Sequence, residues 1–325
     1  MAEYKGTHGT KIQNFSSDPA NSLTGQVWYN STSATLKVDA GALVGAWATG
    51  NDMNTGRGSL AGCGAANTAS LAFGGRAPGG GAPQSVTESY NGTNWTEVND
   101  LNTARGYLAG AGTNTAALGF GGFAPPNTGA TETWNGTNWT EVNDLNTARR
   151  QAGGAGTNTA ALTFGGQPPI TDVTELWNGT NWTEVNDLNT ARRGPSGIGT
   201  SNTAALAVGG VDTPGSRVAY TETWNGTNWT EVNDLNTARI GMGQSGTNTA
   251  GLIFAGGTDS GNTANTETWN GTNWTEVADL SAAKDYLGGA GTNTSALAFG
   301  GEPTALGATT EEWNFSGGVQ TITTD

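Results

Sequence analysis

Residues 134–149 read WNGTNWTEVNDLNTAR, and the same string returns at 177–192 and 224–239. Edited copies fill 90–105 (YNGTNWTEVNDLNTAR) and 269–284 (WNGTNWTEVADLSAAK). Repetition this regular is read before local secondary structure, because a supersecondary unit that cannot bury its own apolar face becomes stable by stacking on copies of itself. Aligned on the basic residue that ends each copy, the series is Arg57, Arg105, Arg149, Arg192, Arg239 and Lys284, at spacings of 48, 44, 43, 47 and 45. Six Gly-Gly pairs, led by Gly74, Gly121, Gly165, Gly209, Gly256 and Gly300, and six Thr-Glu pairs from Thr87 to Thr310 mark the same cycle. The chain holds six units.

Within the second unit, YLAGAG (107–112) is followed by AALGFGG (116–122), TETW (131–134) and WTEV (139–142). Each segment is short, alternates or clusters apolar residues as strands do, and is set off by turn residues, with no competing period of 3.6. NGTN (135–138) puts Asn-Gly where a tight hairpin needs positive φ. Each unit therefore reads as a four-stranded antiparallel sheet. Six such sheets set radially cover one another's faces and leave only short edges, and the Gly and Ala of the first segment suit strands crowded round an axis. The expected fold is all-β, a six-bladed propeller of four-stranded antiparallel blades. Trp134, Trp139 and their equivalents are expected to fill the gaps between blades, with an exposed sugar-stacking platform as the alternative.

The order of basic residue, small-residue strand, apolar strand ending in Gly-Gly, variable loop, TETWN and a following Trp resembles the kelch repeat, carried by TFGG (163–166), TELWN (174–178) and Trp182. The resemblance runs from about Trp47 to the C-terminus and implies a kelch-like β-propeller, a fold that serves enzymes and binding modules alike. WATGNDMNTGR (47–57) matches WTEVNDLNTAR in register and reads as an orphan fourth strand, while VQTITT near the C-terminus is a second candidate to close the ring. Register favours the first and locality the second. Residues 1–43 lie outside the repeat, and GQVWYNSTSATLKV (25–38) reads as a short N-terminal β-hairpin extension, so the expected parts are an attachment segment, 1–43, and a propeller, 44–325.

With the preceding SSDPANSLT, that hairpin stretch resembles segments of bacteriophage tail-fibre and related virion proteins, and the near-identical copies with the ending QTITTD resemble marine-phage proteins. This resemblance implies a virion structural protein, a tail-fibre or spike subunit whose propeller binds a glycan or other receptor on the host cell surface while 1–43 contacts other virion proteins. A purely structural virion decoration or cap and a glycan-processing enzyme are the alternatives. Tail-fibre subunits often form trimers, but no heptad repeat argues for an oligomer here.

Composition excludes other classes. With 27 Asp and Glu against 13 Lys and Arg, a net charge of −14, there is no basic stripe for a phosphate backbone, so nucleic acid is not an expected partner. One cysteine, Cys63, allows no internal disulfide, and one histidine, His8, lies outside the repeats, so no metal or other cofactor is expected. No apolar leader and no membrane-span-length apolar run occur, so the expectation is a product made in the host cytoplasm without a signal peptide, located in the virion and not inserted in a membrane. The recurring Asn-x-Thr, as at Asn135 and Asn138, is then turn chemistry rather than glycosylation.

The copies differ mainly in the loops between second and third strands, such as RAPGGGAPQSV (76–86) and QPPITDV (167–173), and at the start of the innermost strand. Antiparallel topology puts both at one end of every blade, giving a variable face and a nearly constant one, and loops on a rigid scaffold are where binding usually sits. The candidate ligand-binding residues are Arg76, Phe123, Gln167, Asp212, Arg217, Tyr220, Asp259 and Glu302 from the loops, with Tyr107, Arg150 and Arg193 at the channel mouth. Neutral drift of surface loops is the competing reading. Asp144 with Arg149 reads as a blade-to-blade ion pair and turn cap, with a charged ring or calcium at the Asp/Asn turns as alternatives. GMGQSG (241–246) fits G-x-G-x-x-G but opens a strand with no helix after it. The repeats lack His for a copper site, and the basic residues recur once per blade instead of forming a sialidase-like constellation, so no catalytic residues and no enzyme are expected.

Overall fold

The computed structural model describes residues 12–20, 26–39, 44–316 and 319–321. Backbone contacts divide the chain into Trp47–Asn314 and a second unit formed by Met1–Ala46 with Phe315–Asp325. The larger unit carries the repeats as six four-stranded antiparallel sheets. Blade one runs from the channel outwards as Ala61–Ala66, Ala69–Phe73, Thr87–Tyr90 and Trp95–Val98. The outer hairpin pairs Trp134 with Trp139 and Thr131 with Val142 in blade two, and the same register recurs in the other copies of the string. Blade six is built from Gly288–Gly291, Ser295–Phe299, Thr310–Ser316 and, as its outer strand, Val44–Thr49. The N-terminal strand therefore closes the ring, and Val319–Thr321 pairs with Thr35–Asp39 instead.

The repeated string does its work by hydrogen bonds that cross between blades. The second tryptophan of each blade donates its indole N–H to the threonine of the preceding blade's Thr-Glu pair: Trp139 to Thr87, Trp182 to Thr131, Trp229 to Thr174, Trp274 to Thr221 and Trp95 to Thr310, at 3.0–3.1 Å. Trp47 completes the circle by donating to Thr266 at 3.0 Å. The same indoles lie on phenylalanines of the neighbouring blade, as Trp139 does on Phe73 and Trp182 on Phe120. The first tryptophans donate within their blades, Trp134 to the Asn114 carbonyl, and are buried, so the tryptophans are core and not a platform.

The polar letters of the string are equally occupied. Asn135 Oδ1 accepts the amides of Thr137 and Asn138, so the Asn-x-Thr signal is a turn, and Asn138 Oδ1 accepts from Asn99 of the blade before. Asp144 caps the Thr131 amide at 3.1 Å. Arg149 pairs with Glu175 at 3.0 Å rather than with Asp144, and equivalent buried pairs join Arg57 to Glu88, Arg105 to Glu132, Arg192 to Glu222 and Arg239 to Glu267. Each glutamate also accepts the backbone and side-chain amides of an asparagine from the crossover, as Glu132 does from Asn102, which fixes the incoming chain to its new blade. Burial pulls these guanidiniums below their ordinary value and the partner carboxylate works against it, so the pairs are costly to make and more costly to break.

Glycine is required where inner strands meet. A Cβ on Gly197 would overlap the Gly154 carbonyl oxygen of the adjoining blade. Of the turn glycines, the structure moves one pair: the positions equivalent to Gly74 and Gly75 are Ala255 and Gly256 in blade five, with φ of 59° and 112°. Gly257 thereby becomes the first loop residue there, bridged to Ile240.

In the smaller unit Val27–Asn30 and Thr35–Asp39 form the expected hairpin, extended by Gln13–Phe15, parallel to Val27–Asn30, and by Val319–Thr321. Asp18 anchors it by accepting from Trp28 and Asn30. His8 lies outside the described residues. Among the described residues no helix is long and apolar enough to cross a membrane.

Candidate functional site

After each framework basic residue come two positions where the repeat stops repeating. The first carries Gly58, Gly106, Arg150, Arg193, Ile240 and Asp285, and each bridges to the first residue of its own blade's loop: Arg76, Phe123, Gln167, Val211, Gly257 and Glu302. The second carries Ser59, Tyr107, Gln151, Gly194, Gly241 and Tyr286, all with φ between 50° and 66°. Four of these are not glycine, and a side chain with a β-carbon in this left-handed region costs about 1 kcal/mol or more. A hydrogen-bonded collar holds them there: Ser59 N–H donates to the Tyr286 carbonyl, Tyr107 to Ser59, Gln151 to Tyr107, Gly194 to Gln151 and Tyr286 to Gly241, at 2.7–2.9 Å.

Above the collar is a basin of about 240 Å³ lined by Arg76, Tyr107, Arg150, Gln151, Gln167, Arg193 and Tyr286. Gln151 is its hub. Its Oε1 accepts from Gln167 Nε2 at 2.6 Å and from Arg193 at 3.3 Å, while its Nε2 donates to the Tyr286 hydroxyl at 3.1 Å. Tyr107 and Tyr286 meet edge to face at 5.5 Å. The guanidiniums of Arg76 and Arg150 both stack near Tyr107 and Phe123, at 5.1–6.0 Å from the ring centres. Arg76 also donates to the Gly80 and Gly81 carbonyls, which ties its loop to the site. Burial pushes the Tyr286 hydroxyl up, so it stays protonated.

Of the sequence-predicted residues, the structure thus gathers Arg76, Tyr107, Arg150, Gln167 and Arg193 at one basin, with Phe123 stacked behind it. The others lie elsewhere on the loops. Arg217 pairs with Asp259 at 2.8 Å, and Asp212 accepts the Ser216 amide. Glu302 accepts the Gly79 amide and bridges Asp285, whose carboxyl is pushed up chiefly by burial and accepts from Asn262. Tyr220 contributes its carbonyl to the Gly209 amide. Gln151 and Tyr286 are the site residues that sequence reading missed. Tyr107 belongs with them in the second position, whereas Arg150 and Arg193 hold the first, so treating the three as one column hid the other members.

One further expectation is corrected. Basic residues do not recur only once per blade: beside the framework series, Arg76, Arg150 and Arg193 form a single asymmetric cluster. Among the described residues no group of His, Cys, Asp and Glu side chains is arranged to hold a metal ion.

Comparison with known proteins gives a fold and no family. No family model matches the chain, and no curated protein matches it. Among solved structures it is similar to that of YjhT, with a TM-score of 0.67 and 13% identity over 84% of this chain and 100% of that one. At that identity the likeness shows the propeller alone. The kelch resemblance therefore stands as one of fold. The virion, bacteriophage and tail-fibre reading, with its virion alternatives, is corrected: the structure matched is that of a bacterial protein and not of a phage virion protein. The hairpin behind that reading is an alternating one, a pattern that β-sheet pairing alone calls for.

Proposed function

We propose that this chain is a non-enzymatic ligand-binding propeller whose site is the basin at the channel mouth. The observation that carries the reading is where symmetry fails. The framework repeats almost letter for letter, whereas the positions round the mouth differ from blade to blade and sit on a collar with Ser59, Tyr107, Gln151 and Tyr286 in left-handed backbone. Backbone strain persists only where surrounding structure holds it, and it concentrates at binding and catalytic sites.

A hydrolytic reading would draw on Tyr286 beside the arginines. Burial, however, pushes its hydroxyl up further than the Gln151 N–H and the Arg193 charge draw it down, so it is held as a phenol rather than poised as a nucleophile. Asp285, the nearest carboxyl in sequence, is engaged by Asn262.

Equilibrium dialysis against a mixture of small carboxylates, phosphates, amino acids and neutral sugars, read by mass spectrometry, tests the proposal. Retention of one class, recovered at unchanged mass and abolished by Tyr107→Ala with Tyr286→Ala, is the expected outcome. Retention that survives that variant would place the site elsewhere, and a converted mass would make the chain an enzyme.

A further inference from the structure

Nine arginines lie in the described chain, and six of them are in salt bridges: Arg57, Arg105, Arg149, Arg192 and Arg239 with framework glutamates, and Arg217 with Asp259. The three that meet no carboxylate among the described residues are Arg76, Arg150 and Arg193, and all three line the basin. In a chain with 27 acidic residues and 13 basic ones, carboxylates are the most available partner an arginine can have. Leaving three guanidiniums together without one maintains like-charge repulsion that a ligand's negative charge would relieve.

We propose that the basin binds a small polyanion, a molecule bearing two or more oxyanion groups such as a di- or tricarboxylate or a diphosphate. This rests on the basin being the binding site and adds the chemistry of what it takes. A guanidinium offers planar paired donors that match carboxylate and phosphate oxygens two at a time. Arg76, held by the Gly80 and Gly81 carbonyls and the Tyr107 hydroxyl, contributes mainly its charge, while the packing leaves most donors of Arg150 and Arg193 available. Stacking on Tyr107 and Phe123 orients Arg150 through its face, and its side chain makes no hydrogen bond among the described residues. Arg193 is steadied by one contact to Gln151 Oε1, which is itself fixed by Gln167. Three cationic centres exceed what a single carboxylate would neutralise, which is why the ligand class carries more than one oxyanion. Blade six supplies the contrast: Asp285 and Glu302 hold the corresponding bridge position, so the mouth is cationic on one side and acidic on the other. A polyanion is drawn to the arginine side and repelled from the other, which sets its orientation.

Isothermal titration with citrate, pyrophosphate and D-glucose tests this on the full chain. Citrate or pyrophosphate is expected to bind, more weakly as salt is raised. Loss of one charge-assisted donor set in Arg150→Gln or Arg193→Gln should lower affinity by about ten- to a hundredfold. Arg217→Gln removes an arginine that is already paired and should leave affinity within about twofold. Which anion binds more tightly tells carboxylate from phosphate chemistry. Glucose binding that Tyr107→Ala abolishes, with neither anion bound, would overturn the polyanion while keeping the basin as the site. Anion binding that Arg150→Gln and Arg193→Gln leave intact would overturn it as well, and with no probe bound at the basin both statements fall. Near-ultraviolet circular dichroism of each variant shows that the fold survives the substitution.

Discussion

Two glutamates of one strand pair show how differently the same residue type is used. Glu132 is buried against Arg105 and Asn102, whereas Glu141, opposite it in the hairpin register, is exposed. Glu132→Gln should cost about 3 kcal/mol or more in urea unfolding, because it strands a buried guanidinium, while Glu141→Gln should change stability by less than about 0.5 kcal/mol. Lys284 is the framework's exception. It stands where the other units carry arginine, donates to Thr309, and burial pulls its ammonium down to about 8, against which Glu311 acts. In the pH range above about 8 and below the ordinary lysine value, the unfolded chain holds a proton that the folded chain has released. Stability should therefore rise with pH across that window, and Lys284→Arg should flatten the rise. Equal slopes in the two proteins would contradict this. The basic residue of each repeat was legible in the sequence, but its partner was not: Asp144 lies five residues from Arg149, and the actual partner, Glu175, comes from the third strand of the following blade.

Strands and turns were legible wherever each blade solves the same local problem. Asn-Gly marked the outer hairpins, Gly-rich runs marked the inner strands, and paired tryptophans marked the core. Gly197 shows why the inner runs are glycine: it lies on an extended strand, so the reason is the neighbouring blade's carbonyl and not its own φ. Gly197→Ala should consequently lower the thermal midpoint by several degrees, whereas Gly80→Ala, whose Cβ would meet nothing within 4 Å, carries only the strain of its φ of 72°. The collar was not legible. Nothing in the letters Ser59, Tyr107, Gln151 or Tyr286 announces left-handed backbone, because four of the six positions lack the glycine that ordinarily signals it. Blade five misled in the opposite sense, offering a Gly-Gly pair one residue past its structural place.

Across the molecule, sixfold repetition supplies rigidity and departures from it supply chemistry. Each indole reaches one blade backwards and each crossover asparagine one blade forwards, so every blade is fastened to both neighbours, and Val44–Thr49 lets the last blade share in the same bonding. That architecture could be read from the period. The choice of closing strand could not, since both chain ends carried a compatible segment and the decision lies in Trp47, which reaches Thr266 and packs on Phe254 and Trp313. The proposed binding face could be read only in part: variation pointed to all six loops, while the structure concentrates at a single basin the arginines of three of the blades that meet no carboxylate among the described residues.

The measurement to make is a crystal structure of the protein grown with pyrophosphate or citrate, compared with one grown without either. Anion density between Arg76, Arg150 and Arg193, above the Tyr107, Gln151 and Tyr286 collar, is the expected result. Density confined to the opposite mouth of the channel, or an empty basin at saturating anion, would contradict it.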